Sequence, residues 1–330
     1  MTLELDGSRH EGGGQLVRTA IALAALAGRE VAIVRVRAGR ETPGLRPQHL
    51  AAVRAVAGCC GARVEGLAVG SDRLAFSPGP LRRADQRVDV GTAGGVPLVL
   101  QAWLPVALEA GGSITVTGGT EVALGPTVDF LDRVLLRLLR AHGARVSLGI
   151  LRRGYVPRGG GEVRVAVEPG RLAPIGSRHV PASAGIVSAA ANLPRHVPER
   201  QLAAARAVLE PVTGPLDEAV VDLREDGPST GSSVTCWSKA KAGSAMGRQG
   251  LPAERVGRAA ADALLAELAQ PGEVDHHLAD QLLVYLARYG GSFTATACTR
   301  HAETVQWLLG EFDLPVEYAP RPDGSARFSA

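Results

Sequence analysis

Two distant stretches of this chain, Gly111-Gly112-Ser113-Ile114-Thr115-Val116-Thr117 and Gly290-Gly291-Ser292-Phe293-Thr294-Ala295-Thr296, share one pattern, and each precedes a segment with helical spacing of apolar residues. A third copy occupies the beginning of the chain. There Gly28-Arg29-Glu30-Val31-Ala32-Ile33-Val34 leads through a loop to a helix expected over 47–59, with Leu50, Val53 and Ala57 on its inward face. Such a repeat limits the fold severely, because one unit of this size cannot bury its own apolar face and must pack against its copies. The unit reads strand, helix, strand, helix, strand, strand. Its first helix follows Glu11-Gly12-Gly13-Gly14 in the first copy and Gly91-Thr92-Ala93-Gly94-Gly95 in the second, where it runs through Trp103. In the third copy the helix carries Leu278, Leu282 and Tyr285 at three- and four-residue steps. If the units pack around a pseudo-threefold axis, these turns converge on one cleft.

From 180 to 274 the repeat is interrupted by strands expected over 185–191, 216–223 and 232–238 and helices over 198–209 and 252–268. The expectation is therefore an α/β (α+β) fold of three βαβαββ units, paired helices on four-stranded sheets, spanning 1–179 and 275–330. A smaller α/β domain is inserted at 180–274. The glycine-rich segment 242–251, with Ser244, Met246 and Arg248, is expected to be a mobile flap.

A chain of 330 residues, 45% of them hydrophobic, can fill one large core or two smaller ones. Its net charge of +3 allows a phosphorylated ligand but falls short of the field that binds nucleic acid in bulk. Lysine occurs at 239 and 241 alone, so the cations are almost all arginine. Planar forks are thus available for phosphate, although a GC-rich genome gives the same composition. No Gly-x-x-x-x-Gly-Lys-Ser/Thr is present, which excludes a P-loop enzyme, and neither lysine sits where a lysine-adenylating ligase needs one. Four cysteines at irregular spacing make neither a disulfide framework nor a four-cysteine zinc site and read as buried thiols. No apolar run approaches membrane-spanning length and the first residues lack a signal pattern, so a soluble cytoplasmic protein without a membrane partner is expected. Oligomeric state is not readable.

Chemistry-bearing residues fall in four places. Glu11-Gly12-Gly13-Gly14 opens a helix, where free amides approach phosphate and a carboxylate holds a divalent ion; a tight turn with Glu11 as a cap has the same sequence. Arg35, Arg37 and Arg40, followed by Gln48 and His49 and joined by Arg18, form an anion-binding composition or a solvated strand end. The segment His276-His277-Leu278-Ala279-Asp280-Gln281 sets His276 and Asp280 on one helix face and His277 and Gln281 on another, an arrangement that can read a nucleoside. A zinc site there lacks a further ligand at the required spacing. Finally, His301 opens a helix just after the third copy of the repeated strand. A neutral imidazole in that place can attack phosphorus while the helix-start amides hold the anion; a capping or solvated histidine is the plainer reading.

The ordered set Glu11-Gly12-Gly13-Gly14-Gln15, Arg37-Ala38-Gly39-Arg40, Pro43-Gly44-Leu45, Gln48-His49, Leu278-Ala279-Asp280-Gln281 and His301 closely resembles the RNA 3'-terminal phosphate cyclase family, over essentially the whole chain. The resemblance implies three repeats with a small inserted domain. It implies an enzyme that uses ATP and a divalent metal, magnesium or manganese, to convert RNA 3'-phosphate ends to 2',3'-cyclic phosphates. It makes His301 the nucleophile that forms a histidine-AMP phosphoramidate and Glu11 the metal ligand. Gln101, Asp280 and Gln281 become nucleotide contacts, Pro126 and His277 flank the adenine, and Arg18, Arg37, Arg40 and Gln48 position phosphates. His277 departs from relatives that stack a tyrosine on the base. Two alternatives accompany this reading: a non-catalytic ribosome-assembly branch of the family, which lacks the histidine, and an enolpyruvyl-type transferase, which shares the repeated architecture.

Overall fold

The structure, a computed structural model, describes residues 2–122, 125–176, 180, 182–225 and 227–330. The first unit comprises β1 (Leu3–Asp6), α1 (Gly14–Ala27), β2 (Val31–Val34), α2 (Pro47–Gly58), β3 (Arg63–Glu65) and β4 (Leu74–Ser77). Its sheet has the order β1-β2-β4-β3, with β1 parallel to β2 and the other pairs antiparallel. The second unit repeats this topology. It contains β5 (Ala84–Asp89), α3 (Val96–Ala110), β6 (Gly112–Gly118), α4 (Val128–Phe130), a π-helical turn over Leu131–Leu136, α5 (Arg137–Ala141), β7 (Arg145–Arg152) and β8 (Gly161–Glu168), with sheet order β5-β6-β8-β7. Strict alternation of buried and less buried residues along β6 and β8 explains why these segments are strands: one face packs under helices and the other meets water.

The inserted segment contains β9 (Ala184–Ala191), α6 (His196–Thr213), β10 (Glu218–Arg224), β11 (Gly231–Ser238), β12 (Lys241–Met246) and α7 (Ala253–Ala269). After it come α8 (His276–Tyr289), β13 (Ser292–Ala295), α9 (Arg300–Glu311), β14 (Glu317–Pro320) and β15 (Ala326–Ser329). The third sheet, β13-β15-β14, has its first-strand place filled by two separate pieces of chain. Ile175 bridges Gly291 in parallel and Val274 bridges Ala295 in parallel. The chain therefore leaves and rejoins the place beside β13 on either side of the segment between Ile175 and Val274. Residues 177–179, where the expected boundary at 179 lies, are outside the described residues.

Gly112 and Gly291 show why the repeat is visible in the sequence. Each has a positive φ, and a Cβ on either would sit about 2 Å from a carbonyl oxygen of the neighbouring first strand, Ala84 at 2.1 Å and Ile175 at 2.2 Å.

The insert's sheet has the order β10-β9-β11-β12. One face packs with α6 and α7 around Ile186, Leu209, Val234, Val256 and Leu264, while Val187, Ala189 and Trp237 on the other face join the main core. With both faces covered, β9 is buried throughout.

Two expectations need correction. Much of the segment 242–251, expected as a mobile flap, is strand β12, which pairs with β11 from Ser238↔Lys241 to Ser233↔Met246. Its small residues look like a loop in composition, but they let α7 lie close against the strand, and the Lys239-Ala240 turn fixes the register. Cys59, Cys60 and Cys236 are buried as expected, whereas Cys298 is half-buried. Among the described residues no helix is long and apolar enough to cross a membrane.

Candidate active site

The starts of α1, α8 and α9 converge with the loop before α2, the side of α3 and β12 of the insert around one cavity of about 920 Å³. Every residue given a role by the resemblance lines it: Glu11, Arg18, Arg37, Arg40, Gln48, Gln101, Pro126, His277, Asp280, Gln281 and His301. Glycine at the start of α1 is required by side chains. A Cβ on Gly13 would lie 1.9 Å from Glu11 Oε2, and one on Gly14 would lie 2.0 Å from His49 Nε2.

His301 is the second residue of α9, whose first turn is capped by Thr299 Oγ1 accepting from the Ala302 amide at 3.1 Å. Its Nδ1 is 3.6 Å from Glu11 Oε2, and the other oxygen of Glu11 is ion-paired with Arg40. Burial, then Arg18 and Arg40, hold the imidazole pKa below its ordinary 6.5. A carboxylate this close should raise it, but Arg40 neutralises Glu11, and Arg18 adds a further positive charge. The ring is therefore neutral at physiological pH, with a lone pair free to attack. Glu11 Oε2 is buried with no hydrogen-bond partner among the described residues.

Opposite lies a more enclosed wall. Arg18 is buried, which lowers its pKa to about 10 against the opposing pull of Asp280, so it stays charged. Burial, then repulsion from Asp275, raises Asp280 to about 7. Burial, then His276, lowers His277 to about 4, leaving a neutral ring. His276 itself is raised by its hydrogen bond to Glu267 at 2.7 Å, and the two histidine rings lie 3.9 Å apart. Gln281 Nε2 donates to the His277 carbonyl at 2.7 Å, but Gln281 Oε1 and Gln15 Oε1 are buried acceptors without partners among the described residues. Unsatisfied acceptors grouped in one cavity call for a ligand that supplies donors or positive charge.

The phosphate-binding candidates are partly committed already. Arg37 donates to the Thr42 and Gly44 carbonyls, both at 2.8 Å, and so braces its own loop. Gln48 Oε1 accepts from the Gly95 amide at 3.2 Å, which leaves its amide hydrogens as donors. Arg35, expected beside them, bonds instead to Asp6 and does not line the cavity.

Comparison with known proteins follows this geometry closely. The sequence profile of the family described as RNA 3'-terminal phosphate cyclase matches residues 9–318. Proteins with that name from Methanosarcina mazei, Pyrobaculum neutrophilum and Archaeoglobus fulgidus are 42%, 43% and 42% identical. These alignments cover 94%, 96% and 94% of this chain and 94%, 94% and 95% of the respective relatives. The chain belongs to the RNA 3'-terminal phosphate cyclase family. Membership removes the enolpyruvyl-type alternative.

The cleft of this cyclase-family chain also contains residues to which the resemblance gave no role. His49 is buried, its Nδ1 accepts from the Arg46 amide at 2.9 Å, and burial followed by Arg18 lowers its pKa to about 3. Arg46, Glu267, Ser244 and Met246 line the cavity as well. Of these, Glu267, Ser244 and Met246 come from the insert, which no local spacing ties to the repeats.

Proposed function

We propose that the chain converts an RNA 3'-terminal phosphate to a 2',3'-cyclic phosphate, using ATP and releasing AMP and pyrophosphate through a histidine-AMP intermediate. The observation that carries this is a neutral His301 sharing one cavity with Glu11, four phosphate-binding candidates and the nucleoside-binding candidates. The histidine also speaks against the non-catalytic assembly role.

In the first step an imidazole nitrogen attacks the α-phosphorus and its bond to pyrophosphate breaks. Glu11 Oε2 faces Nδ1, so the Nδ1–H tautomer is favoured and Nε2 carries the attacking lone pair. An RNA 3'-phosphate oxygen then takes AMP from the ring. Finally the adjacent 2'-hydroxyl attacks the activated phosphorus, loses its proton to solvent and expels AMP. That closure is intramolecular, so it needs alignment and charge neutralisation more than covalent help. Arg18, Arg37, Arg40 and the amide of Gln48 supply both, and Asp280, Gln281 and Gln101 hold the nucleoside between Pro126 and His277. The donor set fits a divalent ion, which Glu11 would hold through Oε2, a buried carboxylate oxygen without a hydrogen-bond partner among the described residues. When bound, such an ion would withdraw charge from the triphosphate. We read residues 180–274 as a domain inserted into the catalytic domain of 1–179 and 275–330. The unpaired thiols Cys59, Cys60 and Cys236 accord with a reducing cytoplasm.

The deciding assay follows AMP release and end structure with RNA bearing either a 3'-phosphate or a 3'-hydroxyl. AMP release with a cyclic end is expected for the phosphate alone. Equal turnover on both, or none, would defeat the proposal.

The electrostatics add a pH prediction. Because His301 is held below its ordinary 6.5, adenylation should keep its rate down to that pH and decline only at lower pH. Arg40→Gln removes a repelling charge, so the imidazole pKa should rise and the acid limb should move to higher pH. Label retention across about pH 5–8 measures both; an unmoved limb in the variant contradicts the field assignment.

A further inference from the structure

Outside the cavity lining, the turn that precedes α1 lies along α9. His301, Thr304 and Trp307 follow one another at steps of three on that helix, and the turn meets each of them in order. Glu11 Oε2 faces His301 Nδ1 at 3.6 Å, and the Glu11 amide donates to Thr304 Oγ1 at 3.4 Å. His10 and Arg9 then lie against the indole of Trp307, with 5.6 Å between the His10 and Trp307 ring centroids and the Arg9 guanidinium carbon 5.3 Å above the indole. A continuous row of contacts thus leads from the proposed nucleophile to a tryptophan about 9 Å further along the helix axis.

Arg9 and His10 are exposed, and among the described residues the Arg9 guanidinium has neither an ion pair nor a hydrogen bond. The turn is closed by the Gly12 amide donating to the Arg9 carbonyl at 2.8 Å, and His10 takes a φ of +52° within it. Glycine would be free of strain there, yet the position carries an imidazole. Of the three tryptophans, Trp103 and Trp237 are 0% and 1% exposed, whereas Trp307 is half-buried and can offer a face to a ligand. Its Nε1 donates to Glu311 Oε1 at 2.9 Å, which holds the ring in place.

Resting on the function proposed above, we infer that Trp307, His10 and Arg9 form a landing site for the RNA strand outside the catalytic cavity. A base near the 3' end stacks on Trp307 and His10 while the terminal phosphate reaches His301. Arg9, exposed and unpaired, leaves the indole face for a backbone phosphate and gives that face to the base. Aromatic faces joined to positive charge hold single strands in this way without reading sequence. The nucleoside-binding candidates all line the cavity and none of these three residues does, so the patch serves the RNA and not ATP.

The test separates the two substrates. Trp307→Ala should label with ATP at the rate of the unaltered protein, while its KM for 3'-phosphorylated RNA rises at least about tenfold, the scale of one lost base stack. Trp307→Phe keeps an aromatic face and should recover most of that loss. On RNA made abasic at its last two nucleotides, the unaltered protein and Trp307→Ala should show the same KM, an equality that a merely weakened helix would not produce. Arg9→Gln should make log RNA affinity fall less steeply with log salt, by about 0.7 in slope, the share of one phosphate contact on a single strand. A Trp307→Ala protein that labels normally and keeps its KM for RNA overturns this inference alone, as does a gap that persists on abasic RNA. Should Trp307→Ala not fold, an unaltered protein with equal KM for intact and abasic RNA, or an Arg9→Gln protein with an unchanged salt slope, overturns it. Failure of the unaltered protein to label with ATP overturns the cyclase proposal and this reading with it.

Discussion

Replacing His301 by alanine is expected to abolish formation of a covalent adenylate and to lower cyclisation by at least about 10⁴-fold, the scale on which loss of a covalent nucleophile reduces turnover. The fold should survive. The side chain is 46% exposed, and the cap of α9 is made by Thr299 rather than by the histidine, so the stability change should stay within about 0.5 kcal/mol. These two outcomes together make the test sharp, since an unfolded protein would also lack activity. Incubation with ATP labelled at the α-phosphate, followed by denaturing gel separation, reads the first, and a thermal melt reads the second. Label retained by the alanine protein would show that another group is the nucleophile.

The large-scale architecture was legible because its constraints are local and repeated. Gly112 and Gly291 sit at matching places where a side chain would strike the neighbouring strand, so the sequence repeats where the backbone crossing repeats. His301 and Glu11 could be singled out as candidates for a related reason: each belongs to a short helix-start pattern, and the structure brings both to one cavity. Strand β12 was not legible. Ala242-Gly243-Ser244-Ala245 has little β propensity, and only its pairing with β11 and its contact with α7 make it a strand. The insert's share of the cleft was hidden by the same gap, because Ser244 and Met246 line the cavity from a strand that no spacing encodes.

The least legible feature is also expected to give the largest loss of stability. Arg153, 1% exposed, bonds Glu121 Oε1 at 2.6 Å, both oxygens of Asp129 at 2.7 and 2.9 Å, and Asp222 Oδ2 at 2.9 Å from Nε. Glu121 and Asp129 bracket the segment that carries Pro126, and Asp222 lies on β10, so one guanidinium ties a wall of the cleft to the insert. Arg153→Met leaves the Asp129 carboxylate buried without its cation and the Glu121 carboxyl without its hydrogen-bond donor, while Asp222 keeps Arg224, a change that destabilises by about 3–5 kcal/mol. A melt should register this as a fall of about 5–10 °C. Merely weakening the core would not single out ATP, whereas releasing the Pro126 wall should raise KM for ATP about tenfold in protein that remains folded. Burial, partly opposed by Arg153, holds the Glu121 carboxyl well above the usual carboxylate range. The folded state therefore keeps a proton that the unfolded chain releases near 4.5, and this contribution to stability is lost as pH rises through the folded value. Glu121→Gln should flatten that slope. It should also restore part of the stability when combined with Arg153→Met above the folded pKa, because the amide, unlike the carboxyl, has no charged form to bury there. A double variant no more stable than Arg153→Met alone would mean that the cluster is not held by the charge balance described.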